Sequence, residues 1–165
     1  MRTILPVSTA LALMASASAF AEPSFDVSKL YIGGSVSHNV VDSPFGGSSV
    51  DAPGVSVFAG YEIPNDIAQV ETAIEVGYTQ TDDFFNGSNS DISGLWVAGV
   101  AQKDLPEISP NLFGIARFGL DIGDDDGLLL GAGAGLHLTP VIDARAEYIN
   151  KDASSVYQAS FIVKF

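Results

Sequence analysis

Residues 155–165 read Ser155-Val156-Tyr157-Gln158-Ala159-Ser160-Phe161-Ile162-Val163-Lys164-Phe165. Positions 157, 159, 161, 163 and 165 are apolar, and 158, 160 and 164 are polar; only Ile162 breaks the alternation. Successive side chains of a strand point to opposite faces, so this pattern reads as one strand with an oily face and a polar face. At about 3.3 Å per residue it extends over roughly 30 Å, enough to cross a bilayer on a tilted path. The same pattern also suits the last strand of a soluble sandwich, so the rest of the chain has to choose.

Seven earlier segments alternate in the same way. Residues 29–38 set Leu30, Ile32 and Val36 against Gly33, Ser35 and Ser37. Residues 54–63 set Val55, Val57, Ala59, Tyr61 and Ile63 against Ser56, Phe58, Gly60 and Glu62. Residues 69–79 set Val70, Thr72, Ile74, Val76 and Tyr78 against Glu71, Ala73, Glu75 and Gly77. Residues 92–102 are apolar on both faces; here Trp96, Ala98 and Val100 are expected outward, with Gly99 and Ala101 inward. Residues 111–120 place Arg117 and Gly119 opposite Phe118 and Leu120. Residues 127–138 oppose Gly131, Gly133, Gly135 and His137 to Leu128, Leu130, Ala132, Ala134, Leu136 and Leu138. A helix there would carry four glycines, each costing roughly 1 kcal/mol. Residues 141–150 set Asp143, Arg145 and Glu147 against Ile142, Ala144, Ala146 and Tyr148.

Eight strands whose charges lie on the less oily face do not suit a soluble sandwich, where the oily face is a core. They fit the smallest membrane barrel, whose interior is just filled by side chains. The connections 39–53, 80–91 and 121–126 are read as long, against short ones at Pro64-Asn65-Asp66 and Thr139-Pro140, with 103–110 between. Long loops on one side and short turns on the other belong to outer-membrane barrels. The expected fold is therefore all-β: an eight-stranded antiparallel, up-and-down transmembrane β-barrel.

The front of the chain is read as an export signal. Arg2 is its only charge, Ile4 to Ala15 is a short apolar run, and Ala19 and Ala21 form an A-x-A site. Cleavage after Ala21 leaves 22–165 as the barrel domain. An N-terminal membrane helix is the competing reading, but the run is too short and too rich in Ala, Ser and Thr. The chain carries 7 Lys+Arg against 20 Asp+Glu, a formal net charge of −13, which argues against nucleic acid. It has no Cys, so no disulfide, thiolate metal site or Cys nucleophile.

Two stretches, Glu75-Val76-Gly77-Tyr78 and Thr139-Pro140-Val141-Ile142-Asp143-Ala144-Arg145-Ala146-Glu147-Tyr148, resemble strands of the outer membrane protein A transmembrane domain. Phe58-Ala59-Gly60-Tyr61 and Arg117-Phe118-Gly119 fit the same pattern. The terminal stretch resembles the last strand of such barrels, which implies that Tyr157, Phe161, Val163 and Phe165 form the signal read by the barrel-assembly machinery. The resemblance also implies a Glu75–Arg145 ion pair across the lumen. The family's second, facing Lys–Glu pair aligns with Gly99 and Gly135, so its gate is not expected here. Its peptidoglycan-binding domain has no counterpart in the sequence.

The residues themselves put Glu71, Glu75, Arg117, Asp143, Arg145 and Glu147 inside, where charges in a filled lumen must pair. The network either fills the barrel and fixes register or takes part in conduction. Phe58, Phe113 and Leu129, also inward, favour a closed lumen. The loops collect Asp42, Asp51, Asp82, Asp83, Asp91, Asp121, Asp124, Asp125, Asp126 and Asp152 against Lys151 alone. Asp124-Asp125-Asp126 is a weak candidate for a hard cation, without EF-hand spacing, and a solvated acidic rim is the plainer reading. Phe45, Phe84 and Phe85 at loop positions suggest a contact surface.

The histidines, His38 and His137, sit in no lipase-like G-x-S-x-G context, and no acid orienting His137 is evident. The expected role is thus structural or surface-interacting in the outer membrane of a Gram-negative bacterium, without catalysis or cofactor. A small pore is the runner-up and a lipid-modifying enzyme a minor alternative. Expected partners are outer-membrane lipid, lipopolysaccharide, the assembly machinery and an extracellular ligand the sequence does not identify.

Overall fold

The computed structural model describes residues 26–41, 49–84, 91–124, 126–151 and 154–165. The segment expected from sequence to be a leader, with Ala19 and Ala21, lies outside them, as do Asp42, Phe45, Phe85, Asp125 and Asp152.

A 3-10 turn, Val27–Lys29, is capped by Asp26, which accepts from the Ser28 backbone N–H at 3.1 Å. Eight strands follow: β1 (Leu30–Val41), β2 (Val50–Ile63), β3 (Val70–Thr81), β4 (Ser93–Asp104), β5 (Leu112–Gly123), β6 (Gly127–Thr139), β7 (Ile142–Lys151) and β8 (Ser154–Lys164). Each pairs antiparallel with the next, and β8 returns to β1, closing the barrel. Closure gives every strand two partners and leaves no exposed edge, a necessity where no water can satisfy the backbone.

The outer wall is oily. Val36, Val57, Ile74, Leu95, Phe118, Leu130 and Phe161 all stand exposed on it. In water this surface would be untenable, whereas acyl chains cover it; removing each such side chain from water is worth about 1.5–3 kcal/mol. The core is the lumen, where Tyr31, Phe58, Trp96, Phe113, Leu129 and Ile162 are buried among charged groups. Ile162, which breaks the alternation of the last strand, faces inward and is fully buried. A Cβ at Gly60 would collide with the Tyr31 ring and one at Gly77 with the Trp96 indole, so both glycines make room for a ring on the neighbouring strand.

The structure corrects the facing of β4. Trp96, Ala98 and Val100 are buried in the lumen, and Leu95, Val97, Gly99 and Ala101 lie outside. Both faces are apolar, so periodicity alone could not choose. Trp96 is fixed inward by its Nε1–H donating to Thr79 Oγ1 at 3.1 Å and by the Phe58 ring at 5.8 Å. Gly99 therefore faces lipid and is no lumen position.

The strands also reach further than the alternation suggests. At the end away from the termini the connections shrink to 42–49, 82–92, 124–126 and 152–153; at the terminal end they are 64–69, 105–111 and 140–141. Asp51 thus belongs to β2 and Asp121 to β5. In the 64–69 turn Gln69 takes a left-handed φ of 63°, and Asn65 Oδ1 accepts from the Ile67 N–H at 2.9 Å.

Candidate functional site

β3 and β5 each bring one ionisable side chain to the middle of the lumen, and β7 brings two. Glu75, wholly buried, is the hub. Arg145 Nη1 donates to its Oε1 at 2.6 Å, and the Tyr31 hydroxyl donates to the same oxygen at 2.7 Å. Arg117 Nη2 lies 3.0 Å from Glu75 Oε2, an ion-pair distance. Arg117 also grips Glu147 in a fork, Nε to Oε2 at 2.7 Å and Nη2 to Oε1 at 3.0 Å. Gln158 Nε2 donates to Glu147 Oε1 at 3.3 Å.

Two carboxylates thus face two guanidiniums, and the centre is electrically neutral. Aromatic faces complete the packing, with Arg117 5.3 Å from the Trp96 ring centroid and Arg145 5.6 Å from that of Tyr31. Guanidinium suits this place because its planar fork bonds carboxylates and stacks on rings at once.

A second tier lies at the terminal end. His137 Nδ1 is 2.7 Å from Asp143 Oδ1, and its Nε2 is 3.2 Å from Asp104 Oδ1. Lys164 Nζ reaches Asp143 Oδ2 at 3.3 Å, Glu71 at 3.4 Å and Glu62 at 3.9 Å. Phe113 stacks on the His137 ring at 4.6 Å. Glu71, grouped from sequence with the central charges, stands half-exposed at this mouth and pairs with Lys164 instead. The apparent lack of an acid beside His137 is also corrected. His137 and Asp143 are register partners across the β6–β7 hairpin. Both ring nitrogens face carboxylates, which leaves neither free to serve a nucleophile.

A third tier lies towards the far end. Asp121 is buried there and takes Lys151 Nζ at 2.5 Å. The sequence pattern places both in loops, but strand extension carries them inside. The pair joins β5 to β7, thirty residues apart, and the pairing of both strands with β6 brings them together. Of the other acids described, Asp51, Asp82, Asp83, Asp124 and Asp126 are exposed. Asp124 Oδ2 accepts from the Ser93 backbone N–H at 2.9 Å, so that carboxylate ties the β5–β6 turn to the start of β4. Among the described residues no cluster of three or more His, Asp or Glu has metal-binding geometry. Phe84 is half-buried, and His38, on the outer wall, lies 3.9 Å from Asp51.

Tyr157, Phe161 and Val163 of β8, with Phe165 just past its end, line one outward face. Tyr157 packs on Tyr148 of β7 at 5.1 Å.

A family model described as the outer membrane protein beta-barrel domain matches residues 7–164. A search of curated proteins found no match. Among solved structures the chain is similar to a de novo designed transmembrane β-barrel, at 19% identity and a TM-score of 0.59, over 85% of this chain and 98% of that one. It is similar to Neisserial surface protein A at 20% identity and a TM-score of 0.55, over 83% and 97% of the two chains. It is also similar to Ail, the attachment invasion locus protein of Yersinia pestis, at 18% identity and a TM-score of 0.50, over 82% and 95%. Ail has also been solved in complex with the heparin analogue sucrose octasulfate. At such identities the likeness is one of fold.

Proposed function

We propose a structural and surface-contact role for this chain, which belongs to the outer membrane protein beta-barrel domain family and lies in the outer membrane. The observation that carries the proposal is the filled lumen. Glu75, Arg117, Arg145 and Glu147 occupy its centre, and Phe113 and Ile162 are fully buried beside them. An interior packed with neutralised charge and rings fixes register and opposes the passage of ions. Contact is then left to the outer wall and the rim.

In this reading the leader is removed after Ala21, the termini face the periplasm, and the far end with Asp82, Asp83 and Asp124 faces outward. The face made by Tyr157, Phe161, Val163 and Phe165 is presented to the assembly machinery. The chemistry of the rim restricts its partners. Exposed carboxylates repel a sulfated polyanion, so the ligand seen on Ail does not suit this rim. Lipopolysaccharide phosphates are negative too, and they meet the rim only across divalent cations, which take oxygen ligands from both sides. Catalysis is no part of the proposal, since His137 is held between two carboxylates.

Binding of the purified, folded barrel to lipopolysaccharide, with Ca²⁺ and with chelator, tests the surface role. Calcium-dependent binding that weakens in Asp82→Asn/Asp83→Asn supports it. Binding unchanged by both treatments would sink the cation-bridged rim. Reproducible ion conductance would favour the runner-up, a small pore.

A further inference from the structure

The outer wall is not evenly covered. Where β6, β7, β8 and β1 adjoin, an open groove of about 680 Å³ indents it. Sites for small molecules span about 300–1,000 Å³, so the groove is of binding-site size. Its floor follows from the register. Ala146, Ala159 and Val36 are successive partners across β7, β8 and β1, and Ala132 of β6 borders them.

The next outward row, nearer the far end, is of different chemistry. Tyr148, Tyr157 and His38 are successive partners there, with the two phenol rings 5.1 Å apart. Tyrosines ringing a membrane barrel lie at headgroup depth. One row further, Asp51 of β2 and Ser155 of β8 both partner Val40. His38 Nδ1 lies 3.9 Å from Asp51 Oδ2, too far for a hydrogen bond. Both side chains are more than half exposed on the wall, so each keeps hydrogen-bonding capacity for a ligand.

We propose that this groove binds a zwitterionic glycerophospholipid whose headgroup carries a primary ammonium. One acyl chain lies over Ala146 and Ala159, and the headgroup meets His38 and Asp51. Charge complementarity selects the lipid. The Asp51 carboxylate only accepts hydrogen bonds, and a primary ammonium is a cation that only donates them. The His38 ring and the Tyr157 hydroxyl each have a hydrogen to donate, which suits the phosphate. A lipid with phosphate but no ammonium brings its negative charge to Asp51 without compensation, which sets phosphatidylglycerol and lipid A apart. The site lies on the wall and uses no metal ion, so it is independent of the calcium-bridged rim proposed above.

Native mass spectrometry of the folded barrel tests this. Phosphatidylethanolamine, phosphatidylglycerol with the same acyl chains, and lipid A are offered together in the presence of chelator. One phosphatidylethanolamine is expected to be retained severalfold above phosphatidylglycerol. Asp51→Asn should bring the two phospholipids to equal retention, because the carboxylate sets the choice. Ala159→Leu fills the groove, so retention of both should fall to background while heat-modifiable migration is kept. Ala146→Leu does the same from β7 should Ala159→Leu not fold. Equal retention of the two phospholipids by the unaltered barrel overturns the proposal, as does a preference for lipid A. So does a phosphatidylethanolamine preference that survives either Asp51→Asn or the filling of the groove. A lipid-free dimer of the barrel, lost in Ala159→Leu, would assign the groove to a second copy and overturn it as well.

Discussion

Arg145 Nη1 stands 2.6 Å from Glu75 Oε1 with both side chains wholly buried, although the residues are 70 apart in sequence. An unpaired charge buried there would be costly. Glu75→Ala leaves two guanidiniums without their shared carboxylate, and breaking a buried pair in this way costs about 3–5 kcal/mol. Glu107→Ala, in the exposed β4–β5 connection, should stay within about 0.5 kcal/mol of the parent. Reversible denaturant unfolding in lipid or micelles compares them. Equal midpoints would show that the central network contributes nothing to stability.

Trp96 is the single tryptophan of the chain and points into the lumen. Its emission should be little affected by brominated acyl chains in the surrounding bilayer. In a Trp96→Phe/Phe118→Trp variant the indole moves to the lipid side, and the same lipids should quench it severalfold more strongly. Strong quenching of Trp96 itself would return β4 to the opposite facing.

Gly60 gives its side-chain space to Tyr31, which in turn holds Glu75. Gly60→Ala should therefore destabilise the barrel by about 1–3 kcal/mol, the usual cost of overpacking. In Gly60→Ala/Tyr31→Leu the ring is gone, so the added alanine should cost less than it does beside Tyr31. A full double-mutant cycle on the unfolding midpoints decides; strict additivity would rule out the collision.

Phe165 is 57% exposed on the outer wall, and its backbone N–H still donates to Leu30 O at 3.2 Å across the seam. Deleting it should lower the amount of heat-modifiable barrel in the outer membrane. Phe165→Tyr should not, because the aromatic face survives. Equal accumulation of all three proteins would remove the terminal aromatic from the assembly signal.

No stable conductance steps are expected in planar bilayers, because Phe58, Phe113 and Leu129 lie buried in the lumen beside the charges. Phe113→Ala should leave the trace quiet as well, since the Glu75 hub remains. Reproducible single-channel steps in the unaltered barrel would make the pore the better reading.

The sequence by itself determined the architecture. A period of two, with charges confined to the less oily face, is satisfied only when that face encloses something and the other meets lipid. It also put Glu75, Arg117, Asp143, Arg145 and Glu147 on faces of one kind, because parity within a strand is local information. What each of them touches was decided by the tertiary structure. Pairing across the lumen depends on the register of strands far apart in sequence, and no local pattern carries that. Hence Glu71 moves to the mouth with Lys164, Asp121 and Lys151 meet inside, and His137 acquires Asp143. β4 shows the same division most sharply. Where both faces are apolar, alternation distinguishes two sides without naming them, and the choice falls to Thr79, Phe58 and the space beside Gly77, all of which lie on other strands.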